Sequence, residues 1–364
     1  MACKYIYYFL LAYCCTTVTI QAQNQLFAIE AIVDTMVVKM GETLQFETNK
    51  SADNFQWDFG NGRVETNDVN PQHTYHQKGV YTVQFKQAEV SETMYLKVVS
   101  PTVEFSTKVL LQAVLNNDGS NTMRDDLRAQ NLLPLTEPYS ALPNYTHIGG
   151  GGESINASLL ADKGNDSVVD WLFLELRSPS DSSKVLATQS VLLERDGDVI
   201  NAQGDAAIVF PAFPSDSLYY VAIRHRNHLG IMIAEPETLD EVEATIDFID
   251  VDTEIDLWGN QSSVNVNGIN AMWSGDANGD GRIIFQGTSN DPNNVFFEVL
   301  SAPTNTLIQI SYIAEGYTNN DINMDGKSIY QGNGNDPNIV FFNVLQHGGN
   351  VNFIPTFIIE QQLP

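Results

Sequence analysis

The sequence predicts a mainly β protein: two consecutive β-sandwiches followed by a small α-containing module with two loop–helix repeats. Short alternating runs of apolar and polar residues, separated by Gly, Pro, Asn and Ser clusters, fill the chain up to about residue 255. Beyond it, one pattern occurs twice at an offset of 45 residues, Asp276 onward and Asp321 onward. All three cysteines lie at or before Cys15. A chain of 364 residues has room for about two or three domains. Its 43% hydrophobic content supports packed cores rather than disorder. A net charge of −27 excludes a generic nucleic-acid binder, because phosphate recognition needs clustered Lys and Arg, and it disfavours anionic lipid surfaces.

The segments read as an export signal over 1–22, a first sandwich over 23–102, a second over 103–255 and the repeat module over 256–364. In the first, Lys4 supplies the positive charge and Ile6 to Cys15 an apolar core too short to span a bilayer. Cleavage is expected after Ala22. Leu11-Ala12-Tyr13-Cys14 has the outline of a lipoprotein box, but Tyr13 is too bulky for the small residue that precedes an acylated Cys. The mature chain would then lack cysteine, and an exported chain without disulfides is stabilised by packing, by metals or by both. The expected location is secreted or cell-surface, with the periplasm also open, and no transmembrane segment after cleavage.

In residues 23–102, alternation marks strands at Leu44-Gln45-Phe46, Val80 to Phe85 and Met94 to Val98. Turns fall at Gly60-Asn61-Gly62, Asn70-Pro71 and Lys78-Gly79. Three ordered motifs, Trp57-Asp58-Phe59-Gly60-Asn61-Gly62, Asn70-Pro71-Gln72-His73-Thr74-Tyr75 and Gly79-Val80-Tyr81-Thr82-Val83, resemble the PKD domain, an immunoglobulin-like module of extracellular proteins. The family usually has Asp where this chain has Asn61, and such a turn accepts either. The resemblance implies a spacer or binding module, and it accounts for His73 without a metal partner at His76.

Residues 103–255 read as a second immunoglobulin-like sandwich, with strands within Val103 to Leu115, Val168 to Leu176, Val185 to Leu193, Ala207 to Phe213 and Tyr219 to Ile223. The Gly149 to Gly152 run has no P-loop Lys after it and reads as a flexible loop. Arg224-His225-Arg226-Asn227-His228 gathers basic groups in an acidic chain. Zinc at His225 and His228 is disfavoured, because residues i and i+3 of one strand face opposite ways, so the arginines are expected to pair with carboxylates. Asn144, Asn156, Asn165 and Asn260 open glycosylation sequons, which are common by chance in an Asn-rich chain.

The repeat carries the chemistry. Asp276-Ala277-Asn278-Gly279-Asp280-Gly281 aligns with Asp321-Ile322-Asn323-Met324-Asp325-Gly326, and Asn290-Asp291-Pro292-Asn293 with Asn335-Asp336-Pro337-Asn338. Calcium takes several hard oxygen ligands at about 2.3–2.6 Å. Oxygens at loop positions 1, 3 and 5 converge as the chain curls, Gly at position 6 allows the sharp turn, and the backbone carbonyl of Arg282 or Lys327 serves at position 7. An EF-hand has Glu at position 12, where this chain has Gly287 or Gly332. Asp291 and Asp336, four residues later, either return to the ion or cap the following helix. The pair of loops resembles a dockerin, the duplicated calcium module of secreted bacterial proteins, with a longer spacing between copies. Two calcium ions are expected.

No Gly-x-Ser-x-Gly, His-Glu-x-x-His or Walker loop occurs, so the chain is read as not an enzyme. The expected function is a calcium-stabilised extracellular or cell-surface binding or structural protein with a protein or glycan partner outside the cell. The alternative is an accessory carbohydrate-binding protein using Trp57, Trp258 or Trp273. A hydrolase centred on the second sandwich stands last.

Overall fold

The computed structural model describes residues 18–22, 25–28, 35–48, 54–116, 118–213, 218–239, 244–250 and 256–364. Residues 1–17, with the apolar core of the expected signal and the three cysteines, lie outside them. The described part of that segment, Val18–Ala22, is a strand paired antiparallel with Thr43–Thr48. The chain is mainly β and divides into two compact units, 1–101 and 102–364. None of the described helices is long and apolar enough to cross a membrane.

Unit 1 contains two sheets. One orders Gln25–Ala28, Val18–Ala22, Thr43–Thr48 and Gln72–Thr74; the other orders Met36–Lys39, Val90–Val99, Gly79–Gln87, Phe55–Asp58 and Val64–Glu65. Alternation puts Leu44, Phe46, Val83, Phe85, Leu96 and Val98 into one core. Its centre is aromatic. Phe46 lies edge-on to Trp57 and Phe59, with centroids 5.5 and 5.1 Å away. Two buried polar groups find partners there: Trp57 Nε1 donates to the Val69 carbonyl (3.0 Å) and the Tyr75 hydroxyl to the Phe59 carbonyl (2.8 Å). His73 stacks on Phe59 at 4.1 Å and its Nε2 accepts from the Asn61 amide at 2.9 Å. Asn61 therefore supplies a donor to a buried imidazole that burial keeps toward its neutral form.

In unit 2, a sheet orders Val199–Ile200, Asp181–Glu194, Val168–Ser178, Leu218–His225 and His228–Met232, with Glu237–Thr238 beside Leu218–His225. A smaller sheet has Thr102–Lys108 between Ile208–Pro211 and Thr245–Asp247. Val103, Phe105, Ile208 and Phe210 of the smaller sheet share a core with Val169, Leu172, Leu174 and Leu176 of the larger. Val168–Ser178 is buried along its whole length, because its other face is covered too. There Val168, Trp171 and Phe173 pack under Leu133, Tyr139 and Ile155 from the irregular segment that precedes the strand.

The repeat module belongs to this same unit. Helix α1, Asp126–Ala129, is a single turn; α2 is Asp291–Ser301 and α3 is Pro337–Gln346. Val295 and Val299 of α2 meet Val340 and Val344 of α3 in one core with Ile283, Ile322 and Ile359. The two copies exchange strands. Arg282–Ile284, which follows the first loop, pairs with Ile358–Glu360 at the end of the second copy. Lys327–Ile329, which follows the second loop, pairs with Ile313–Glu315 at the end of the first. Each copy thus completes the other. Met324, in the second loop, packs into the sandwich core with Met272.

Truncating Phe46 to Ala should destabilise unit 1 by about 3–5 kcal/mol through transfer and cavity costs. A denaturant titration followed by Trp57 fluorescence checks this. A loss under about 1 kcal/mol would mean that the ring does not organise this core.

Candidate metal centres

Each repeated loop is built on backbone amides donating to carboxylates. Asp276 Oδ1 accepts from the Asp280 amide (3.0 Å) and Oδ2 from the Gly281 amide (2.9 Å). Asp321 does the same with Asp325 (3.0 Å) and Gly326 (2.8 Å). Asn278 and Asn323 accept from the Asp280 and Asp325 amides, both at 2.8 Å. These bonds curl the chain around the buried first-position carboxylates, with Asn278, Asn323 and Asp325 partly buried and Asp280 exposed. Gly281 and Gly326, at φ +80° and +84°, make the turn that a β-carbon would strain.

Asp291 and Asp336 fold back onto the loops. Asp291 accepts from the Ala277 and Ile284 amides, both at 2.8 Å; Asp336 accepts from Ile322 (2.8 Å), Asn323 (3.2 Å) and Ile329 (2.7 Å). Both are fully buried. Helix capping falls instead to the preceding residues: Asn290 accepts from the Asn293 amide (3.0 Å) and Asn335 from Asn338 (3.1 Å). The Asp-Pro pair is therefore not the cap, because the Asn before it supplies an equivalent oxygen and leaves the carboxylate free to turn inward. Arg282 and Lys327 open the strands that follow the loops, and the exposed Arg282 side chain runs to Glu360 at 3.7 Å.

The electrostatics are those of crowded like charge. Burial raises Asp276 to about 7, with the Asp280 charge adding to it against the loop amides. Burial and then the Asp276 charge hold Asp291 well above the usual carboxylate range. In the second loop burial raises Asp321 to about 7 against the pull of Arg226, and burial with Asp321 nearby holds Asp336 high. All-oxygen donors with excess negative charge fit a hard divalent cation. Asp276, Asn278, Asp280, the Arg282 carbonyl and Asp291 would hold one; Asp321, Asn323, Asp325, the Lys327 carbonyl and Asp336 would hold the other.

Among the described residues, two further groups bring a ligand atom from each of three side chains within 4.8 Å: Glu137, His147 and Glu153, and Glu194, Asp196 and Asp198. Neither includes a loop residue.

The basic cluster is a two-residue hairpin turn. Arg226 and Asn227 form the turn, so His225 and His228 sit directly opposite on paired strands, with rings 4.8 Å apart. The expectation that they face opposite ways fails because the chain reverses between them. They bind each other and Asp170 rather than a ligand. His225 Nε2 donates to Asp170 (3.1 Å), and the two Nδ1 atoms are 3.0 Å apart. Arg226 Nε donates to the same Asp170 carboxylate (3.0 Å), and the Tyr317 hydroxyl donates to its other oxygen (2.7 Å). Burial alone would raise Asp170; Arg226, His225 and Tyr317 outweigh it and bring it to about 2. The whole network is buried, so it joins a histidine, an arginine and a carboxylate without a cleft. The sequence points to the arginines but not to Asp170, which sits in a strand whose neighbours are all apolar.

Trp57 and Trp273 are buried, with Nε1 atoms donating to the Val69 and Gln261 carbonyls (3.0 Å each). Trp258 is half-buried edge-on to Tyr220. Of the three, Trp57 and Trp273 are not exposed as stacking platforms, and Trp258 keeps part of its surface. Asn305 and Asn350 lie outside the repeated loop motifs. Each bridges the end of its helix to the next turn, through Val299 and Gln309 (2.8 and 2.9 Å) and through Val344 and Ile354 (2.7 and 2.9 Å). Their equivalence at the repeat offset is the signal that could have found them.

The PKD domain family matches residues 28–93, which supports an N-terminal PKD, immunoglobulin-like domain. No curated protein matches the chain. A solved quinoprotein alcohol dehydrogenase-like protein from Bacteroides thetaiotaomicron is similar at 12% identity, covering 71% of this chain and 62% of that one, with a TM-score of 0.16. The chain thus spans less than two thirds of that protein, and so low a score carries no argument.

Asp170→Asn should cost about 3–5 kcal/mol, because it leaves the buried Arg226 charge without its partner. Thermal unfolding of the variant measures this, and an unchanged melting temperature would show the network to be dispensable.

Proposed function

We propose that this chain is a non-enzymatic, calcium-stabilised extracellular or cell-surface binding or structural protein, with two calcium ions ordering its C-terminal module. The observation that carries the reading is the duplicated loop in which buried carboxylates crowd together. The loop amides orient these oxygens but do not neutralise them, and a divalent cation offsets the cost of burying their charge, which chiefly raises Asp276 and Asp321, together with the smaller repulsion from Asp280 and Asp325. Because the cation binds the folded state alone, it adds to stability by mass action, about 2.7 kcal/mol per site at a hundredfold excess over Kd. The N-terminal PKD-like domain fits a spacer or partner-binding role. The loops resemble a dockerin in positions 1 to 6, and export through Met1 to Ala22 would place the chain where calcium is abundant.

Calcium titration of the full chain by calorimetry should find two sites of about micromolar to millimolar affinity, with a melting temperature that drops on chelation. No heat and no shift would sink the calcium reading. Asp276→Asn should weaken both sites and lower the melting of the whole repeat module in one transition, since each copy contributes a strand to the other. Loss of one site with the second untouched would contradict the strand exchange as a coupling device.

The calcium-dependent part of the stability should grow between about pH 5 and pH 7. A carboxylate with a raised folded-state value binds more protons folded than unfolded, so the metal-free module loses stability as pH rises toward about 7. Bound calcium removes that loss. The buried His225 and His228, held neutral chiefly by burial, lose stability in the acid direction equally with and without calcium. The difference between calcium and chelator melts isolates the loops, and a difference that shrinks toward neutral pH would count against them.

A further inference from the structure

A second kind of metal site stands apart from the loops. Glu137 lies within the segment that covers the larger sheet, and His147 and Glu153 flank the glycine run 149–152. The Glu137 side chain is completely buried and pinned: Oε1 accepts from the Gly152 amide (2.9 Å) and the Ser140 hydroxyl, and Oε2 from the Ser140 amide (3.0 Å) and the Ser190 hydroxyl (3.4 Å). The His147 ring lies on Phe173, with centroids 4.9 Å apart, and its Nδ1 is 3.2 Å from Thr188 Oγ1. That oxygen also accepts from the Ile148 amide at 2.8 Å, which fixes its position beside the ring. Glu153 Oε1 accepts from the Gly151 amide at 2.9 Å.

Two atoms are left over. His147 Nε2 and Glu153 Oε2 are both buried with no hydrogen-bond partner, a condition that costs free energy unless something else satisfies it. One ligand atom from each of Glu137, His147 and Glu153 lies within 4.8 Å of those of the other two. His147 Nε2 stands 3.6 Å from Glu137 Oε2. That is too long for a hydrogen bond and close to the separation of about 3.3 Å between two ligands of a tetrahedral ion with bonds of about 2.0–2.1 Å.

The glycine run is built for this place. Gly149, Gly150, Gly151 and Gly152 all have positive φ, from +66° to +101°. A β-carbon on Gly150 would sit 2.2 Å from the Thr188 carbonyl oxygen, and one on Gly151 would sit 2.8 Å from the His147 ring. The backbone therefore lies directly on the imidazole and aims its amides at the two glutamates. A run that reads from sequence as a plain loop acts here as a cap over three ligand atoms.

We propose that Glu137, His147 and Glu153 form a binding site for a first-row divalent transition-metal ion, zinc in the first instance, beneath the 149–152 loop. One imidazole nitrogen and two carboxylates suit zinc, whereas calcium takes oxygen alone. Thr188 acts as a positioning residue by accepting the Nδ1 proton and presenting the Nε2 lone pair to the ion. Three protein ligands leave a position for water or for a group from a partner.

The test uses the full chain, stripped with chelator and then saturated with calcium so that the loops are filled. Zinc titration by calorimetry should give one site, and cobalt(II) should take up the visible absorption of a low-coordinate nitrogen–oxygen site. His147→Gln and Glu153→Gln should each weaken zinc by about 100-fold, while Glu194→Gln in the separate acidic cluster leaves it unchanged. Glu153 is only partly buried and Gln keeps the Oε1 acceptor, so its variant should melt with the parent. Zinc heat that survives both substitutions overturns the proposal. So does an absence of binding at millimolar zinc. If the variants do not fold, cobalt that absorbs only as its hydrated ion with the parent chain overturns it as well.

Discussion

The repeat module depends on four aspartates buried beside other negative charges. Asp276, Asp291, Asp321 and Asp336 each accept two or three backbone amides. Those amides come from three places: the start of the loop, its turn, and the strand that follows it. Asp276 and Asp321 hold the turn of their own loop, while Asp291 and Asp336 each tie the start of a loop to the strand that follows it. The arrangement costs desolvation and mutual repulsion, and these drive the carboxyl groups toward protonation. In the function proposed above, a bound cation would offset these costs.

The loops do not stand alone. Asn227, in the buried hairpin turn, donates to the Asp321 carbonyl at 2.8 Å, and Arg226 donates to the Thr318 carbonyl. Arg124 reaches the Asn323 carbonyl and Gln130 the Asp325 carbonyl, each at 2.8 Å. On the first loop, Asn144 donates to the Gly279 carbonyl at 2.7 Å. The sandwich therefore grips the outer backbone of both loops while their first-position carboxylates are buried. The Asp170–Arg226 pair lies at this joint, with the Arg226 guanidinium 4.4 Å over the Tyr317 ring. Ordering of the loops by an ion would be felt by the hairpin directly, which makes residues 102–364 one cooperative body rather than a sandwich with an appendage.

Several buried polar rings in this chain are satisfied by pairing inside the core. His73 takes Asn61, His225 takes Asp170 and His228, and the tryptophan indoles take carbonyls. The Glu137 cluster departs from that habit by leaving a nitrogen and an oxygen unmet. Arg226 also keeps one buried nitrogen unmet, but only the Glu137 group is proposed above to take a further ligand.

The sequence by itself determined the strands and the repeat. Alternation at Leu44-Gln45-Phe46 and Val80 to Phe85 is a local property, and so is the Asp-x-Asn-x-Asp-Gly pattern; each is written in neighbouring residues and survives in the structure. It also carried the PKD-like motifs around Trp57 and Tyr75, whose side chains anchor the first core. Tertiary structure decided the rest. Whether Asp291 and Asp336 cap a helix or return to a loop depends on a rival cap at Asn290 and Asn335 and on amides many residues away. Whether His225 and His228 meet depends on a chain reversal at two polar residues. The partners of Arg226, the exchange of strands between the repeats, and the meeting of Glu137 with His147 and Glu153 all join residues distant in sequence. No local periodicity encodes them, because they are fixed only when burial forces each polar group to find whatever complement the folded chain brings near.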